Sequence, residues 1–190
     1  MRLRISRKAP ADARREFTRA LRDFPAFTGE PIAVHMRPRL TACRGRLLSN
    51  HPGKGRAVHA AAFIRERSVV LESALVRRPA KLRLILTHEL FHFVWARLGT
   101  PTRRAFADLL RKEVQAGAKG ALGESSEQAL EHLRTERKDG WRDYVCESFC
   151  DTAAWLYAGC VRSKEFTLAA RWRERRRRWF DGTFAVTRAC

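Results

Sequence analysis

The spacing of hydrophobic positions changes along the chain, and each change marks an element. From residue 10 to residue 24, Ala13, Phe17, Ala20, Leu21 and Phe24 recur at helical intervals behind Pro10, which suits a first turn, so a short amphipathic helix is predicted over about 10–22. Pro31 to Met36 has the composition of a strand, and Asn50 to Gly55 that of a turn. Two short apolar segments, Ala57 to Ile64 and Ser68 to Leu71, flank Arg65-Glu66-Arg67 and predict a hairpin. Together these segments predict a small antiparallel sheet within 10–75.

The pattern then turns helical. The most apolar stretch runs from Leu84 to Trp95, and Pro79 before it and Gly99 after it delimit a helix over 79–98, because proline fits a first turn and glycine the position past a last one. Phe106, Leu109 and Leu110 carry a helix from Thr102 to Gln115, and three glycines between Ala116 and Gly123 predict a flexible loop. Ser125 with Gln128 has the spacing of a capping box and opens another helix. Asp139-Gly140 separates it from a helix over 141–158, and a basic helix over about 163–180 precedes the tail. The expected fold class is α+β, a small antiparallel sheet followed by a mostly helical part around one central helix.

Length and composition narrow this picture. A chain of 190 residues suits a single domain, 1–190, with a real core. No apolar run reaches the roughly 18 residues that a membrane span needs, so no membrane span is expected. The basic N-terminus leads into no apolar stretch of signal-peptide length, and Asp12 and Glu16 argue against a transit peptide. Five scattered cysteines do not form the dense framework of a small secreted domain, so a cytoplasmic location is expected.

The formal net charge is +19, with 32 arginines against 7 lysines. Such a field draws a protein toward polyanions, and the run from Arg171 to Trp179 concentrates it, so non-specific nucleic-acid association through the basic C-terminal helix is one expected partnership. A charge run on a solvated helix face is the plainer meaning.

The chemistry sits in the apolar stretch. His88, Glu89 and His92 interrupt it, and buried polar groups need partners. Residues four apart stack on one helical face, so His88 and His92 can aim at one point, while Glu89 is rotated by about 100 degrees from His88. That is the geometry of a two-histidine metal site with a carboxylate beside it.

His88-Glu89-Leu90-Phe91-His92 resembles the motif of the zincin metallopeptidases. The metzincin branch would carry glycine and histidine where this chain has Trp95 and Leu98, so the resemblance is to the gluzincin branch, typified by thermolysin. That branch takes a third ligand from a glutamate on a later helix, with an aspartate four residues beyond, and Glu147-Ser148-Phe149-Cys150-Asp151 matches the pair. Cys146 stands where these relatives often have asparagine.

The resemblance implies a zincin-like domain holding one zinc ion per chain through His88, His92 and Glu147, with Asp151 orienting a ligand histidine and Glu89 acting as general base on a zinc-bound water. It also implies a peptide or protein substrate, and the strand from Ser68 to Leu71 as the sheet edge that receives it. Tyr157 and Tyr144 are the candidates for stabilising the oxyanion.

A rival ligand set remains open. Cys146 and Cys150 are also four apart on the 141–158 helix, and with His88 and His92 they would make a closed, structural Cys₂His₂ zinc site. By helix rotation the two sets should exclude each other. The carboxylate set is preferred because it gives Glu89 a role. His132 is a further candidate third ligand.

Overall fold

The computed structural model describes residues 2–6, 9–22, 24–25, 29–51, 55–135, 140–160 and 162–184; Pro52, Gly53, Lys54 and Asp139, which carry part of the predicted turns, lie outside them. The fold is α+β. Its strands are β1 (Leu3–Ile5), β2 (Ile32–Arg37), β3 (Leu40–Cys43), β4 (Arg46–Ser49), β5 (Arg56–Ala57), β6 (Ala60–Phe63) and β7 (Ser68–Glu72). Its helices are α1 (Ala11–Leu21), α2 (Pro79–Arg97), α3 (Thr100–Gln115), α4 (Glu124–Thr135), α5 (Gly140–Tyr157) and α6 (Ala170–Phe184).

The main sheet has the order β1-β2-β7-β6, and it is mixed, not antiparallel as expected: β1 pairs parallel with β2, β2 parallel with β7, and only β6 runs antiparallel to β7. The reason is β1, three residues inside the basic N-terminus. It turns α1 from a helix preceding the sheet into the crossover that parallel β1 and β2 require. The hairpin of β6 and β7 forms as predicted, and β3, β4 and β5 make a second, antiparallel sheet. Because β7 lies between β2 and β6, the Ser68 to Leu71 strand is not a sheet edge; the edge strands are β1 and β6, and β6 is the one beside β7.

Helix α2 is buried on nearly every side, which accounts for its lack of a clear polar face. Leu82, Leu86, Leu90 and Phe93 pack with Val34, Val69 and Leu71 of the sheet and with Phe17 of α1. Phe91 and Val94 point into a second cluster with Phe106 of α3, Phe149 of α5 and Phe180 of α6. Leu84 meets Ala154 and Ala158, so the side of α2 that carries His88 lies along α5. Among the described residues, no helix is long and apolar enough to cross a membrane.

Three local expectations change. Helix α4 starts at Glu124, one residue before the predicted capping serine, and the Gln128 side chain bonds Glu124 and Arg56 instead of closing a box with Ser125. The loop expected to be flexible is tied down, since Ala121 O accepts hydrogen bonds from Thr167 N and Leu168 N, both at 2.9 Å, and Leu122 is buried. Helix α6 starts at Ala170, because 163–169 is used in that contact.

The arginine run is not wholly a solvated face either. Arg176 is 1% exposed and bonds Glu113 through Nε at 3.0 Å and Nη2 at 2.8 Å, with Nη1 on Thr152. Removing one partner of such a pair leaves a buried charge uncompensated, at a cost of about 3–5 kcal/mol. Arg176→Met is therefore expected to lower the melting temperature clearly, whereas Arg178→Met, at an exposed position, leaves it nearly unchanged. Thermal unfolding of the two variants checks this.

Candidate metal centre

Crossing of α2 and α5 brings the predicted pairs together. His88 and His92, one turn apart on α2, stand with their Nε2 atoms 3.2 Å from each other. Glu147 of α5 enters between them, its carboxylate 3.1 Å from His88 Nε2 and 3.9 Å from His92 Nε2. Two ring nitrogens and a carboxylate thus converge on one point.

Asp151, one turn along α5 from Glu147, sits behind His88, with Oδ1 2.7 Å from Nδ1. That contact places a proton on Nδ1 and leaves Nε2 to face the convergence point. Asp151 is itself held by the start of α4, where the Ser126 backbone N–H donates to Oδ2 at 2.8 Å. An orphan N–H at a helix N-terminus is a ready partner for a carboxylate.

Gly123, just before α4, is required by the same contact. A Cβ there would lie 2.3 Å from Asp151 Cγ. Neither Gly123 nor Ser126 was foreseen as part of the site; a glycine directly preceding a helix start was the available signal. If the centre binds metal, Gly123→Ala should displace Asp151 and weaken binding by about 10–100-fold, the usual cost of losing an outer partner of a ligand histidine. Zinc titration of the variant checks this.

Charges follow the contacts. Burial opposes a charge on His88, but the Asp151 carboxylate, its hydrogen bond and that of Glu147 more than offset this and hold the imidazole well above its ordinary range. With the Nε2 atoms only 3.2 Å apart, the two rings do not both carry a proton there, and the carboxylates favour His88. Burial works against Glu147 and Asp151 as anions, yet His88 keeps both below their ordinary values. Glu89 is pushed up by burial, with His88 and His92 opposing. It is 9% exposed and opens onto the cleft.

The thiols give the main surprise. They do not compete with the carboxylate by helix rotation, because His92 has two ring nitrogens. Cys150 Sγ lies 3.4 Å and Cys146 Sγ 3.6 Å from Nδ1, while Nε2 faces Glu147. A hydrogen bond from Cys150, then the one from His92, lowers the Cys146 thiol to about 6 against opposing burial, whereas burial keeps Cys150 well above its ordinary value. His88, His92 and Cys150 together form one group of side chains able to hold a metal ion, and His92, Cys146 and Glu147 another.

Other candidates lie elsewhere. Tyr144 and Tyr157 are buried in the aromatic cluster, with Tyr157 stacked on Phe91 at 5.5 Å and Tyr144 against Trp141, and neither lines the cleft. Both stand on sides of α5 that face the hydrophobic core. His132 lines the cleft with His92 and Glu147 but is in neither metal-holding group.

The cleft is a groove of about 1140 Å³ running from β6 to α4 and α5, beside a narrower pocket of about 230 Å³, and His88 and Glu89 line both. Arg56 of β5 reaches Gln128 of α4 at 2.6 Å where the two spaces meet. In comparisons with protein-family models, curated proteins and solved structures, nothing matches the chain.

Proposed function

We propose that the chain is a zinc-dependent metallopeptidase of the gluzincin type, in which His88, His92 and Glu147 hold the metal. The observation that carries this reading is the approach of two Nε2 atoms and the Glu147 carboxylate within 3.1–3.9 Å, with the opposite nitrogen of His88 fixed by Asp151. The donor set fits the ion: in the metal-free network one proton on His88 is shared by the groups that would otherwise share a divalent cation. When bound, zinc would supply a Lewis acid that polarises a carbonyl and lowers the pKa of water to about 7.

The chain's own residues do the rest. Glu89, buried and raised toward the working range of a base, takes a proton from the attacking water and returns it to the leaving amine. Asp151 and Ser126 hold the His88 ring in one tautomer. An extended peptide would pair with the free edge of β6, where the small side chains of Ala60, Ala61 and Ala62 leave the backbone accessible.

A second reading, a structural Cys₂His₂ site in a basic binding protein, draws on the closeness of Cys150 to both histidines. It is disfavoured because the sulfurs lie on the Nδ1 side of His92, and it leaves Glu89 and the groove without a role. Its basic surface does exist: Arg171, Arg175, Arg177 and Arg178 are exposed on α6, and steep salt dependence of nucleic-acid binding would speak for it.

The reading is tested by zinc titration against pH. Zinc needs a lone pair on each ligand histidine, and both His88 and His92 are raised above the ordinary imidazole value, so below those values affinity is expected to fall at least about tenfold for each pH unit of acidification. Glu147 is already ionised and adds no proton to this count. Binding that releases no proton, with an affinity that acidification leaves unchanged, contradicts the reading.

A further inference from the structure

Cys146 and Cys150 take no part in the proposed chemistry, yet they are the side chains that meet the outward nitrogen of His92. Their sulfurs lie 3.6 and 3.4 Å from that one nitrogen, and they differ in access: Cys146 is partly exposed, whereas Cys150 is fully buried. We infer that the two form an oxidisable dithiol, a modification site for oxidants of the peroxide class, whose closure displaces the Glu147 carboxylate carried on the same helical turn. The second half of this inference rests on the metal site proposed above; the first half does not.

The chemistry balances with one peroxide. The Cys146 sulfur attacks a peroxide oxygen, the O–O bond breaks, water leaves, and the sulfur becomes a sulfenic acid, oxidised by two electrons. The Cys150 sulfur then attacks that sulfur; an S–S bond forms, the S–O bond breaks and a second water leaves. Access suits this order, since the partly exposed cysteine meets the oxidant and the buried one resolves it.

Geometry supplies the consequence. Residues four apart on a helix have Cα atoms about 6 Å apart, inside the range a disulfide accepts. Their Cβ atoms are also roughly 6 Å apart, however, and must close to about 4 Å. The turn from 146 to 150 therefore has to tighten, and Glu147 moves with it.

Hydrogen peroxide treatment of the purified full chain, followed by peptide mapping, tests this. A bridge between Cys146 and Cys150, reversed by dithiothreitol, is expected, and in Cys150→Ala the stranded sulfenic acid at Cys146 is captured by dimedone. Oxidation of Cys43 and Cys160 without that bridge overturns the inference. Zinc titration of the reduced and bridged forms reads the coupling: at least a tenfold loss of affinity on bridging is expected, and equal affinities overturn it. If the reduced protein binds no zinc, the metallopeptidase proposal fails, while the mapped bridge still decides the dithiol.

Discussion

Glu89→Gln is expected to reduce hydrolysis of any peptide that the native protein cleaves by about 10³-fold, within the range contributed by a positioned general base. The amide keeps the shape of the side chain and removes its ability to take a proton. The hydrogen bonds and ion pairs that assemble His88, His92, Glu147 and Asp151 run among those four and Ser126, and Glu89 acts on the two histidines through its charge alone. Zinc content and melting temperature should therefore match the native protein. The measurement is kcat/KM on a quenched-fluorescence peptide library beside metal analysis of the same samples, and full activity in the variant would remove Glu89 as the base.

Glu147→Ala is expected to strip the metal, leaving the purified variant with far less than one zinc per chain. Losing a direct ligand should exceed the roughly 10–100-fold cost of losing an outer partner. Cys146→Ser supplies that milder comparison, because Cys146 meets His92 from the opposite ring nitrogen. The ranking discriminates between the two ligand sets. If carboxylate and imidazoles hold zinc, Glu147→Ala is the more damaging change; if thiols hold it, the order reverses.

The elements around the centre were legible because each has punctuation of its own. Pro79 and Gly99 bracket α2, and the four-residue spacings put His88 with His92, and Glu147 with Asp151, on single helical faces. Their convergence follows once two such faces cross.

What escaped the sequence depends on distant partners. Three residues in a basic segment gave no sign that β1 would pair parallel with β2 and change the character of the sheet. Arg176 looked like its neighbours until Glu113, 63 residues away, took it into the core. Clamping of Asp151 by the first turn of α4 needed a tertiary contact to appear. The expected exclusion of thiols by carboxylates failed for a simpler reason: rotation about α5 separates the two sets by roughly 100 degrees, and a single imidazole is wide enough to meet one with each nitrogen.

Zinc K-edge absorption of the loaded native protein tests the central assignment most directly. Coordination by His88, His92 and Glu147 predicts a first shell of nitrogen and oxygen alone, at about 2.0–2.2 Å. A sulfur scatterer at about 2.3 Å would mean that Cys146 or Cys150 holds the ion, and would contradict it.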